Sequence, residues 1–112
     1  MTEISDDYMR QMVATSRDYS VVILHATSKG SEPGVDEVVW EHARRNFALR
    51  VDGVLSIICR VADDSDVRGI GIFNATPDET RTIMDEDPGV NAGIFTYEVH
   101  ECRGFPGDRL PG

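Results

Sequence analysis

Nine consecutive residues, Tyr19 to Thr27 (YSVVILHAT), form a nearly continuous apolar run rich in β-branched side chains. This run constrains the fold more than any other segment. Side chains of a strand alternate between its two faces, so a strand that is apolar at both parities needs cover on both sides. A chain of 112 residues builds one domain with a single modest core. Two layers of cover are more than so short a chain readily supplies, and the second must come from outside it.

The remaining patterns fix an element order. Ile4, Tyr8 and Met12 recur at i,i+4 with Met9 and Val13 beside them, which predicts a short amphipathic helix over 4–13, packed on the outside of the domain. After the first strand, TSKGSEPG carries loop signals and no periodicity. From Val35 the spacing is helical: Val35, Val38, Val39, His42, Ala43, Asn46 and Phe47 share one stripe, and Asp52-Gly53 stops it. Leu55–Val61 and Val67–Asn74 read as an antiparallel hairpin around ADDSD. Thr76-Pro77-Asp78-Glu79 is a helix start with a capping box, and Asp87-Pro88 ends that helix. A last strand spans Ile94–Cys102, with Phe95, Tyr97 and Val99 on one face and Thr96, Glu98 and His100 on the other.

This is an α+β, ferredoxin-like β-α-β-β-α-β order with an extra N-terminal helix, in which strands two and four form opposite edges. The chain divides into an N-terminal helical extension (1–18), the ferredoxin-like domain (19–102) and a Gly/Pro-rich tail (103–112). Helices cover one face of such a sheet. A second copy related by a twofold axis is the simplest cover for the other, so a homodimer is expected.

Charge and motif content narrow the partners. A net charge of −9 argues against nucleic-acid binding. The basic cluster Arg44, Arg45 and Arg50 shares its helix with Glu37 and Glu41, and Glu41 and Arg45 are spaced for an i,i+4 pair. No run approaches the roughly 18 apolar residues of a membrane span. The acidic start MTEISDDYMRQM is unlike an export signal, so a cytoplasmic location is expected. Cys59 and Cys102 would sit on opposite edge strands, too far apart to bond. His100-x-Cys102 has no second ligand pair, so no metal is expected. RGIGIF and RGFPGD lack the spacing and lysine of a phosphate loop, and no cofactor is implied.

The chemistry concentrates in DPGVNAGIFTYEVHECRGFPGD, residues 87–108, together with His42. Asp87 precedes proline and is therefore held out of the helical region at a chain reversal. His42 lies on the apolar stripe of its helix. An imidazole oriented by a carboxylate is a general base, with the carboxylate fixing the tautomer and stabilising the imidazolium. The plainer alternatives are a satisfied core imidazole for His42 and an Asp-Pro turn for Asp87, its carboxylate binding nearby backbone. No activated nucleophile accompanies the pair, which favours proton abstraction, isomerisation or elimination over acyl transfer. Arg45, one turn from His42, with His25 and His100, are candidate substrate contacts. Tyr97 shares its face with Phe95 and Val99 and reads as core.

The strand YSVVILHAT, the helix with His42, the hairpin and MDEDPGVNAGIFTYEVHECRGF together resemble the YCII-related (YciI-like) family, over residues 19 to 105. DPGVNAGIFTYEV is the strongest local match. The resemblance implies a dimeric α+β barrel in which a His and an Asp form the active-site pair, here His42 and Asp87. It makes lyase or isomerase chemistry on a small-molecule ligand the expected activity. A non-catalytic dimeric module that binds a ligand in a regulatory role is the alternative.

Overall fold

The computed structural model describes residues 1–112. Its elements run α1 (Asp6–Thr15), β1 (Arg17–Ala26), a 3₁₀ turn (Ser28–Ser31), α2 (Val35–Val51), β2 (Leu55–Arg60), β3 (Val67–Phe73), α3 (Pro77–Asp85), α4 (Pro88–Asn91) and β4 (Phe95–Gly104). The four strands form one antiparallel sheet in the order β2-β3-β1-β4. The chain is thus α+β, with the ferredoxin-like strand order and β2 and β4 at the edges. No helix is long and apolar enough to cross a membrane.

Local chemistry accounts for the element ends. Ser5 caps α1 by accepting from the Tyr8 amide. Thr76 and Glu79 form a reciprocal capping box, with Pro77 in the first turn of α3. Past the end of α2, Gly53 takes φ 78°, a left-handed conformation that costs glycine little.

The β1 register sorts its side chains. Ser20, Val22 and Leu24 are buried on the face that also carries Phe73 from β3 and Tyr97 and Val99 from β4. Val22, Leu24, Leu55, Phe73 and Met84 make the core cluster, with Leu49, Ile83 and Val90 packed against it from the helices. The opposite parity, Val21 and Ile23 with Ile70 and Ile72 of β3, lies on the other face. That face has no helix of this chain over it among the packed core residues, and Ile70 remains exposed.

Several local expectations are corrected. The N-terminal helix does not pack on the domain: α1 buries no residue, and Ile4, Tyr8, Met9 and Val13 are exposed. Only Ser16 separates α1 from β1, and Arg103 grips that joint by donating to the Ser16 oxygens and to Asp18. The helix therefore leaves from the end of the strand instead of folding back over the sheet. β1 starts two residues earlier than the apolar run, because Arg17 and Asp18 pair with Gly104 and Arg103 of an equally extended β4. The loop after β1 contains a 3₁₀ turn, capped by Thr27. Glu41 pairs with Arg44 at i,i+3 and not with Arg45, whose side chain turns towards α4. The two cysteines are free, on opposite edge strands.

Phe73 is the largest fully buried side chain and belongs to the core cluster. Phe73→Ala is expected to cost about 3–5 kcal/mol, read as a lower urea midpoint at unchanged slope. A loss below about 1 kcal/mol would place the centre of the core elsewhere.

Candidate active site

Asp87 sits where three elements meet. Its amide donates to the Met84 carbonyl at the end of α3, and its extended backbone, φ −70° and ψ 133°, breaks the helix before Pro88. The side chain is fully buried, and each carboxylate oxygen has its own task. Oδ2 accepts from the amides of Gly89 (2.9 Å) and Val90 (3.1 Å), which caps α4. Oδ1 accepts from His42 Nδ1 at 2.7 Å. The turn-forming and histidine-orienting readings of Asp87 are therefore both present in one side chain.

His42 is the only buried residue of α2. Its Nε2 lies 3.3 Å from Asn46 Nδ2, one turn further along the helix. The ionised Asp87 carboxylate can only accept, so the proton sits on Nδ1, and Nε2 of the neutral ring is left as an acceptor beside the Asn46 amide. The Phe95 ring packs against the imidazole with centroids 4.9 Å apart. Phe95 comes this close to α4 because residue 89 is glycine; a Cβ there would overlap the Phe95 ring. Arg45 stands behind the carboxylate, Nη1 at 3.9 Å from Asp87 Oδ1 and Nη2 at 3.9 Å from Glu86, and its buried Nη1 makes no hydrogen bond.

Burial pushes the Asp87 carboxyl up, but the hydrogen bond and charge of His42, with the Val90 and Gly89 amides, outweigh it and hold the group below the usual carboxylate range. Asp87 is an anion at neutral pH, as a partner for an imidazolium must be.

In front of His42 lies a cavity of about 610 Å³ between α2 and the sheet, within the usual range for small-molecule sites. Val39, Asn46 and Phe47 line it from α2, and Val22, Leu24 and Phe95 from the sheet. Its floor is low because β3 presents Gly69 and Gly71 on the helix-facing side, opposite Leu24 and Val22. The RGIGIF glycines, which bind no phosphate by their spacing, thus leave room beneath α2. A Cβ at position 71 would lie 3.1 Å from Leu55 Cδ1 and 3.2 Å from Phe73 Cε1.

The structure brings together His42, Asp87 and Arg45, though Arg45 faces Asp87 and does not line the cavity. His25 and His100 lie elsewhere. Both stand on the opposite face of the sheet, joined through Glu98: His25 Nε2 binds one carboxylate oxygen and His100 Nε2 the other, at 3.2 Å. The Glu98 hydrogen bond raises the His25 pKa over a lowering from burial, and Asp66 adds to the rise. Tyr97 donates to Asp85, and its hydroxyl is pushed up to about 12 by burial and then by that carboxylate. Asn46 is the residue that sequence reasoning left without a role, and its i+4 spacing from His42 was the available signal. No three His, Cys, Asp or Glu side chains converge as a metal site. Compared with known proteins, the chain matches no family model and no curated protein.

Two outcomes are expected. Asp87→Asn removes the anion that holds His42 and costs about 1–3 kcal/mol at neutral pH. The folded carboxyl titrates below its ordinary 3.8, so the stability it contributes is complete above that value and is lost as pH falls through the folded value. Urea unfolding between pH 7 and about pH 2.5 should show the gap between native protein and variant narrowing only on the acid side. A gap constant with pH would remove Asp87 as an anion. Gly89→Ala should cost about 1–3 kcal/mol by forcing Phe95 away, and an unchanged midpoint would contradict the close packing.

Proposed function

We propose that this protein is a small-molecule enzyme that moves a proton at carbon, in an isomerisation or an elimination, with His42 as general acid/base and Asp87 as its positioning residue. The observation that carries this reading is the arrangement of His42: Nδ1 is committed to a buried carboxylate, while Nε2 is engaged only by the 3.3 Å Asn46 contact and the residue lines a ligand-sized cavity. The Asn46 contact of 3.3 Å is long, and a substrate proton displaces it readily. Nε2 then removes the proton from an activated carbon. Asp87 stabilises the resulting imidazolium. Return of the proton to a neighbouring carbon completes an isomerisation; departure of a leaving group completes an elimination. A lyase or isomerase of this kind needs no activated serine or cysteine, and none accompanies the pair.

In this reading the protein works as a YCII-related homodimer of the α+β barrel type. The support is the sheet face that carries Val21, Ile23, Ile70 and Ile72, which gains cover when two copies pack face to face. The rival reading, a non-catalytic dimeric ligand-binding module, draws on the largely apolar cavity lining.

Incubating small carbon acids in D₂O and following loss of C–H signals by NMR tests the main reading. Native protein should catalyse exchange, and His42→Gln should lower the rate by about 10²–10⁴ while ligand affinity is largely kept. Equal rates, or affinity lost in place of turnover, would favour the binding module. Ile70→Lys should convert a dimer to monomers in sedimentation velocity, with the circular dichroism spectrum unchanged; a native protein that sediments as a monomer contradicts the dimer.

A further inference from the structure

The lining of the cavity departs from the rest of the chain in its charge. The protein has 20 acidic residues and 11 basic ones, yet none of the 25 residues that line the cavity is Asp or Glu. The fully charged residues among them are Arg60 and Arg68. In a chain of net charge −9, a lining that has no carboxylate and includes Arg60 and Arg68 is a local reversal of sign.

Arg60 is placed to use that charge. It ends β2 opposite Gly69 of β3, and Ile58, two residues earlier, pairs with Gly71. Alternation puts Arg60 on the same helix-facing side as Ile58 and the glycine floor. Neither a salt bridge nor a side-chain hydrogen bond within the chain occupies its guanidinium. Salt bridges take up Arg10, Arg44, Arg45, Arg81 and Arg103. Arg68 spends one nitrogen on the Ser65 carbonyl at 2.7 Å, which ties it to the hairpin turn. The cavity therefore has an apolar bore, one proton-transfer group in its wall at His42, and an unpaired cation at the hairpin end.

We propose that the ligand is an organic carboxylate with an apolar body. Its carboxylate pairs with Arg60, and its body fills the space over Gly69 and Gly71 towards His42. A guanidinium suits a carboxylate because two parallel N–H donors match its two oxygens. The apolar body supplies affinity through burial, and the anion supplies orientation. A dicarboxylate fits less well, because the other arginine of the lining, Arg68, is tied to the Ser65 carbonyl. This assignment rests on the cavity being the ligand site of the proposed enzyme, but not on the chemistry at His42.

The test is calorimetric titration of the full chain with octanoate and with octanamide, which share the apolar body and differ in charge, at low and at high salt. Native protein should bind octanoate about tenfold tighter or more, and salt should narrow the gap. Arg60→Gln should abolish the preference while octanamide binding stays, and Arg60→Lys should keep part of it. Because Arg60 is exposed, the variant is expected to fold as the native protein does. Equal binding of the two probes by native protein, or no binding of either, overturns the proposal. So does a preference that survives Arg60→Gln and disappears in His42→Gln, which would place the anion on the imidazole. Carboxylate preference lost in Arg60→Gln, with proton exchange unaffected by His42→Gln, would leave this assignment standing and remove the catalytic role.

Discussion

One buried carboxylate holds the site together. Asp87 has no access to solvent, and an anion so placed is tolerated only when its lone pairs are used. Its two oxygens divide the work: one starts α4 by accepting two backbone amides, and the other holds His42. The consequence is mechanical as well as electrostatic. The α3–α4 reversal and the middle of α2 are fastened at a single point, and the imidazole is fixed at the wall of the cavity in one tautomer. Replacing either partner would leave a buried polar group without its match.

The packing around this point follows from small residues. Gly89 lets the Phe95 ring come against α4 and the imidazole, while Gly69 and Gly71 withdraw side chains from the sheet beneath α2. The cavity floor and the packing of Phe95 on the imidazole thus share one device, the absence of a Cβ at selected positions. A helix-facing surface filled with valine or isoleucine on β3 would have closed the space. The opposite surface of the sheet does carry such residues, Ile70 and Ile72 among them, and remains without cover from its own chain.

Much of the fold was legible because its signals are local. The apolar run of β1, the stripe of α2, the capping box at Thr76 and the Asp-Pro break each depend on a few neighbouring residues, and the strand order followed from the sequence of elements. His42 and Asp87 each stood out locally, one on an apolar stripe and one before proline, and the resemblance implied that they form a pair; their contact is tertiary and had to come from the structure. What escaped was tertiary. Nothing within α1 tells that a one-residue joint and the grip of Arg103 on Ser16 direct it away from the sheet. The faces of β1 and β4 could be paired only once their register was known, and that register carries His25 and His100 away from His42. The glycines of RGIGIF looked like a failed phosphate loop; their meaning appears only with α2 above them. Arg45 and Glu41 had the right spacing for a pair, but the buried charge of Asp87 drew Arg45 across the helix interface.

The central claim is that Asp87 holds the His42 imidazole as the Nδ1–H tautomer, with Nε2 open towards the cavity. Long-range ¹H–¹⁵N correlation of the histidine side chains in uniformly ¹⁵N-labelled protein measures this directly, at a pH where the ring is neutral. The account predicts a pyrrole-like Nδ1 and a pyridine-like Nε2 for His42. A pyrrole-like Nε2, or the averaged shifts of a ring exchanging freely between tautomers, would contradict it.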